Sequence, residues 1–222
     1  DGEYWNFKID EFIANNKFHL TKAKARRKGF SYKRGSQAAN TINLFPNVTV
    51  TLAADQLAYL TDKGATTFMA KKCLDHFEEH TFWKRGYISE AIDDILMGYR
   101  VSTKGLKNFG WLSNLYSVAI GKNESAAVGK KAIEIDFEEA GKCPNLQKAL
   151  DVTLSNTESG AISVGTIRVY GTGGTKGANW AAFSKAFYNP KMNKMLCMEN
   201  VWDINKPVSY THLRAHETDS YL

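Results

Sequence analysis

Two histidines in the run HFEEH, His76 to His80, stand four residues apart. On a helix that spacing puts both imidazoles on one face, where they could chelate a single zinc ion with Glu79 beside them as general base. Such a site would make the chain a zinc-dependent hydrolase. The same residues have a structural use. Cys73, His76, Phe77 and His80 fall at i, i+3, i+4 and i+7, the stripe by which a helix buries a mixed apolar face. The structural stripe is the first reading; His76, Glu79 and His80 are the alternative metal set.

The pattern H-x-x-E-H resembles the short signature of the inverzincin metallopeptidases over five residues, and the resemblance implies Glu158, the one distant carboxylate that it covers, as a third ligand. A second stretch, YGTGGTKG from Tyr170 to Gly177, lies between a strand and a helix, where backbone amides could cradle a phosphate. It departs from G-x-G-x-x-G at Lys176 and lacks the hydroxyl residue of the P-loop, so it reads as a turn. No G-x-S-x-G elbow is present.

Lys17 to Arg34, KFHLTKAKARRKGFSYKR, holds eight basic residues and no acidic one, with aromatics interleaved. It lacks an apolar period and is expected as an extended basic arm. Lys22, Lys24, Arg26, Arg27, Lys28, Tyr32, Lys33 and Arg34 form the candidate partner-binding set. A nucleic-acid patch would need those cations on one face with aromatics free to stack. A solvated charged loop is the structural reading of the run. No helix-turn-helix, zinc finger or RNA-recognition motif accompanies these residues, so an acidic protein surface is the expected partner, and a nucleic-acid-binding module is the less favoured alternative.

The 222 residues carry a formal charge of +6, with 43% hydrophobic and 12% aromatic residues, enough for a packed core. The end of the chain, from Val208 in VSYTHLRAHET, resembles one reading frame through an adapter used in short-read sequencing libraries. Residues 208–222 are therefore set aside as an expected artefact. Removing Arg214, Glu217 and Asp219 from 29 basic and 23 acidic residues leaves 28 and 21, a net charge of +7. Three cysteines without a C-x-x-C pair support neither a disulfide framework nor a thiolate zinc knuckle. No apolar run approaches the length of a transmembrane helix, although peripheral membrane association fits the charge.

Around these residues the sequence predicts an α+β fold. EYWNFKIDEFIANN places Trp5, Ile9, Phe12 and Ile13 on one face of an amphipathic helix, which with the arm makes up residues 1–46. Residues 47–207 form a globular domain. NVTVTL is its first strand, ADQLAYLTDKG and TTFMAKKCLDHFEEH are helices, and SEAIDDILMGYR is read as another. LYSVAIG, AIEIDF, DVTL and ISVGTIRVY follow as strands of a mainly antiparallel sheet, PNLQKAL as a short helix and NWAAFSKAFY as the last one.

Within residues 31–75, SYKR (Ser31–Arg34), FPN (Phe45–Asn47), LTDKG (Leu60–Gly64) and AKK (Ala70–Lys72) follow one another in an order that resembles the γ-type linkers of red-algal phycobilisomes. The resemblance implies a non-enzymatic linker or scaffold, chloroplast-located and thylakoid-associated. Its implied partners are acidic antenna or photosystem proteins. It implies no required cofactor, although bilin or chlorophyll contact is open, with Cys73 the candidate for a bilin thioether.

Overall fold

A computed structural model describes residues 2–16, 18–24, 29–82, 85–102, 105–123, 125–128, 131–159, 162–163, 165–172, 178–188 and 197–198. The elements are α1 (Gly2–Asn16), β1 (Leu20–Ala23), α2 (Phe30–Leu44), β2 (Thr49–Ala54), α3 (Ala58–Thr61), α4 (Thr66–His80), β3 (Tyr87–Glu90), β4 (Asp94–Met97), β5 (Tyr99–Ser102) and β6 (Leu106–Phe109). There follow β7 (Asn114–Ala119), β8 (Glu134–Phe137), α5 (Leu146–Thr157), β9 (Glu158–Ser159), β10 (Ile162–Ser163), β11 (Thr166–Gly171), α6 (Ala178–Tyr188) and β12 (Cys197–Met198). The probable adapter residues, 208–222, lie outside the described residues.

Helices and a mixed sheet make this an α+β fold, as expected. The main sheet runs in the order β12-β1-β11-β8-β2-β7-β4-β3. Within it the pairing departs from the mainly antiparallel one read from sequence. β12 through β7 are parallel, and only β4 and β3 run against their neighbours. A parallel sheet covered on both faces explains why β2 and β11 are buried almost without alternation. On one face Ile135, Phe137, Ile167 and Val169 pack with Leu146, Ala149 and Leu150 of α5 and Phe183 and Ala186 of α6. On the other, Val50, Leu52, Leu115, Ile95 and Met97 pack with Ala38, Ala39 and Ile42 of α2 and Ala70 and Leu74 of α4.

Three sequence readings change. SEAIDDILMGYR is not a helix: its residues form β4 and enter β5, with Ile95 and Met97 buried in alternation. Four apolar residues there fit a helical period and a strand period equally well, and pairing with β7 selects the strand. DVTL continues the helix begun by Leu146 instead of forming a strand, because Leu150 and Thr153 bury the same side of α5 as Leu146. The basic segment 17–34 is not an arm outside the domain. It supplies β1, at an interior position of the sheet, and the start of α2. Among the described residues no helix is long and apolar enough to cross a membrane.

Candidate active site

β1 ends at Ala23 and α2 begins at Phe30, so Lys24 and Gly29 flank the connection from strand to helix at the C-terminal edge of the parallel strands. The first turn of the fifteen-residue α2 presents its leading backbone N–H groups at this edge, which favours an anion there. Lys22 is 2% exposed, with its ammonium 4.9 Å from the centre of the Phe30 ring. Lys24 extends from the strand end and places its Nζ 3.7 Å from both Glu138 Oε1 and Glu139 Oε1. Tyr32 is exposed on α2. Arg26, Arg27 and Lys28 lie outside the described residues.

Glu138 and Glu139 follow the last residue of β8, the strand two places from β1. Glu138 is buried. Its carboxylate accepts from Ser31 Oγ at 2.7 Å and from the Thr66 hydroxyl in the first turn of α4. Glu139 stands in the left-handed region at φ 51. Its carboxylate lies 3.2 Å from Lys142 Nζ and accepts from Thr172 Oγ1 at 3.4 Å, just past the end of β11. Two carboxylates, two ammoniums and three hydroxyls therefore gather where β1 leads into α2. The Gly173–Gly177 loop, read from sequence as a turn, lies outside the described residues.

Behind this edge, charge is buried between the sheet and the helices α1 and α2. Arg34, 1% exposed, donates from Nε to Asp136 Oδ2 at 2.7 Å and from Nη2 to Glu134 Oε2 at 3.1 Å. Arg168 Nη1 lies 3.1 Å from Glu134 Oε2 as an ion pair without hydrogen-bond alignment. Lys33 Nζ meets Asp10 Oδ2 of α1 at 2.6 Å. Burial pushes the Lys33 ammonium down to about 8, against the opposing pull of Asp10. Burial pushes the Asp10 carboxyl up, but Arg34, Lys33 and Arg168 outweigh it and hold it below the usual carboxylate range. For Asp136 burial wins over both guanidiniums, and its carboxyl is raised. Lys33 and Arg34, expected to face a partner, are thus committed to α1 and the sheet.

His76 and His80 do lie on one face at the end of α4, with ring centres 4.3 Å apart, and His80 Nε2 is 3.7 Å from Glu79 Oε2. Among the described residues no group of three His, Cys, Asp or Glu side chains could hold a metal ion. Glu158 opens β9, and its side chain is outside what is described. The zinc-hydrolase alternative has no support. Cys73 is half-buried on α4, its thiol pushed up by burial and drawn partly back by a hydrogen bond with Ser36.

Ser31, Thr66, Glu138, Glu139 and Thr172 were not singled out as candidate-site residues from the sequence. AIEIDFEE carried a signal: two carboxylates in succession follow directly on an apolar strand. Lys24-x-x-x-x-Gly29-Phe30-Ser31 carried another, since it keeps the second glycine and the hydroxyl residue of the P-loop pattern.

No family model matches the sequence, and no curated protein sequence matches it either. The fold is similar to the large terminase ATPase domain of Thermus phage P74-26, with a TM-score of 0.54 and 14% identity over 92% of this chain and 83% of that one. A point variant of the same domain gives a TM-score of 0.52 and 16% identity, over 76% of this chain and 64% of that one. The large terminase of bacteriophage HK97 gives 0.56 and 13%, over 86% of this chain and 37% of that one. At these identities the likeness is one of fold, and the chain spans less than two thirds of the last two proteins.

These neighbours overturn the linker reading. Residues 31–75, which carried the resemblance to γ-type linkers, form most of α2, β2, α3 and the first part of α4, which pack against the main sheet, and the solved structures similar to this fold are terminase domains, not linkers. With that resemblance go the photosynthetic scaffold function and the non-enzymatic assignment. The acidic antenna or photosystem partners, the low expectation of nucleic acid, and the chloroplast thylakoid location go with it too.

Proposed function

We propose that this chain is an ATP-hydrolysing domain of the large-terminase kind, with nucleic acid as its partner. One observation carries the reading: Lys24 and Ser31, at the two ends of the β1–α2 turn, meet Glu138 and Glu139 at the tip of β8. This is where an open parallel sheet binds ligands, at the carboxyl ends of its strands.

The turn departs from G-x-x-x-x-G-K-[ST] twice. Lys24 stands at the first glycine, and Phe30 stands where the lysine belongs. Phe30 cannot pair with a phosphate; its ring is buried 4.7 Å from that of Tyr170. Lys24 reaches the same carboxylates from the strand side and takes the cationic role, holding the β- and γ-phosphates. The α2 amides receive the phosphate oxygens. Ser31 Oγ and the Glu138 carboxylate are hard oxygen donors of the kind Mg²⁺ takes, and the ion would neutralise phosphate charge there. Glu139 is left to orient and deprotonate the attacking water.

The test is Mg²⁺-dependent ATP hydrolysis by the full chain. Glu139→Gln should keep ATP binding and lower turnover by about 10²-fold or more, since a positioned base contributes about that much. Lys24→Ala should weaken ATP binding itself. A wild-type chain that neither binds nor hydrolyses ATP overturns the reading.

A further inference from the structure

Three residues after Glu139 stands a lysine to which the ATPase reading gives no task. Lys142 closes a single 3₁₀ turn, Ala140–Lys142, that follows Glu139 directly. Its Nζ lies 3.2 Å from Glu139 Oε2 and 4.6 Å from the centre of the Tyr59 ring on α3. Tyr59 itself packs against the core formed by α2, α4 and the sheet. The ammonium is thus held between a carboxylate and an aromatic face, both of which attract a cation.

The turn that carries Lys142 is built to one shape. Glu139 stands in the left-handed region, at φ 51 and ψ 37, where a residue with a Cβ is disfavoured. Such a backbone persists only where its surroundings over-determine it, and such places cluster at functional sites. The surroundings are plain here. The Lys142 N–H donates to Glu139 O at 2.8 Å, and Ala140 and Gly141 are buried. Gly171, the last residue of β11, lies flush against them. A Cβ at Gly171 would stand 2.8 Å from Ala140 N and 3.0 Å from Gly141 N. Folding gains little from the Lys142–Glu139 pair, because the Lys142 side chain is 41% exposed and exposed ion pairs are weak. What the pair fixes is direction.

The two oxygens of Glu139 are held differently. Oε2 meets Lys142 and, at 3.4 Å, the Thr172 hydroxyl. Oε1 meets Lys24 at 3.7 Å. Lys24 is the cation assigned to the phosphates, so a bound nucleotide draws away the group on Oε1 and leaves those on Oε2. A carboxylate anchored by one oxygen presents the other, and a general base needs an oxygen within hydrogen-bond reach of its water.

We infer that Lys142 is a positioning residue for hydrolysis: it anchors Glu139 Oε2, so that Oε1 meets the attacking water once Lys24 has turned to the phosphates. Oε1 then takes the proton of the water whose oxygen bonds the γ-phosphorus as the bond to ADP breaks. The inference rests on the ATPase reading and adds to it a residue outside the β1–α2 connection.

The test is Mg²⁺-dependent ATP hydrolysis by full-chain variants, with kcat and KM separated. Lys142→Met should lower kcat by about tenfold, since a base displaced by a fraction of an ångström loses part of the 10²-fold or more that it supplies. KM should stay the same, because Lys142 holds no phosphate. The melting temperature should stay the same too. Lys142→Gln should lower kcat equally, a second comparison that does not depend on how the methionine variant folds. Lys142→Arg keeps the cation and should restore most of the turnover. In a Glu139→Gln background, Lys142→Met should have no further effect, because groups that act as a unit are not additive.

An unchanged kcat in both neutral variants, beside an active wild type, overturns the inference and leaves the ATPase reading standing. A raised KM at constant kcat overturns it as well, and so does an equal loss with and without Glu139. Either result would put Lys142 on the phosphates themselves. A wild-type chain that does not hydrolyse ATP overturns both readings together.

Discussion

Ser31 donates a hydrogen bond to Glu138 at 2.7 Å across 107 residues of chain. The other oxygen of the same carboxylate accepts from Thr66. One buried side chain at the tip of β8 thereby ties the first turn of α2 to the first turn of α4. Lys24 lies 3.7 Å away on the same carboxylate and closes the group from the strand side. A ligand that draws Ser31 or Lys24 toward phosphate must loosen this arrangement, so occupancy of the turn and the position of α4 are mechanically linked.

Ser31→Ala removes one of two hydroxyl donors from a buried carboxylate, while Thr66 and Lys24 remain. The loss should cost about 1.5–3 kcal/mol, the range for a hydrogen bond to a charged group. In a chain of this size that lowers Tm by roughly 3–12 °C. ATP turnover should fall further, by about 10²-fold, because the hydroxyl sits where the reacting groups must be placed within an ångström. Ser31→Thr keeps the hydroxyl and should restore most of both. Equal turnover in the alanine variant and the wild type would remove Ser31 from the site.

Gly35→Ala tests the same linkage from behind. In an open helix this change stabilises by about 1 kcal/mol. Here the new Cβ would stand 2.7 Å from Thr66 O and 2.8 Å from Ala70 N, backbone atoms of α4 that cannot rotate aside. α2 and α4 must separate, at a cost of about 1–3 kcal/mol, and Thr66 moves off Glu138 as they do. Both thermal stability and ATP turnover should fall. A more stable, fully active variant would show that the two helices have slack between them.

The strongly patterned elements could be read directly: α1, α4, α6, β2 and β7 carry enough periodic apolar residues to identify themselves. β1 could not. Its four residues, LTKA, bury Thr21 and Lys22, and nothing local distinguishes them from the basic run on either side. Only pairing with β11 and β12, both far along the chain, makes them a strand. The same run misled on function, because eight cations with no acid nearby suggest a surface, whereas the counter-charges arrive from β8 and α1. Arg34 finds Asp136 102 residues on. Parallel pairing hides for the same reason, since each neighbour is contributed from far along the chain. The candidate site inherits this difficulty: Lys24 and Ser31 are close in sequence, but Glu138 and Glu139 become meaningful only when β8 is two places from β1.

Lys33 makes the buried charges sensitive to pH. Its ammonium is pushed from the ordinary lysine value of 10.5 to about 8 by burial, which Asp10 offsets only in part. Between those two values the unfolded chain holds a proton that the folded chain has released, so stability should rise with pH through that window. Below about pH 8 both states are protonated, and Lys33 adds no further slope. The full effect is on the order of 3 kcal/mol, from about 1.4 kcal/mol for each pH unit between the two values. Urea unfolding from pH 7 to 11 measures it as the difference between wild type and Lys33→Met, which removes the titrating ammonium, 5.1 Å from the centre of the Phe7 ring and 5.6 Å from that of Phe30, and keeps an unbranched side chain. That difference should climb from about pH 8 and level off near 10.5. A flat difference would mean that Lys33 stays protonated beside Asp10 throughout, and α1 would then be held by an ion pair stronger than its burial.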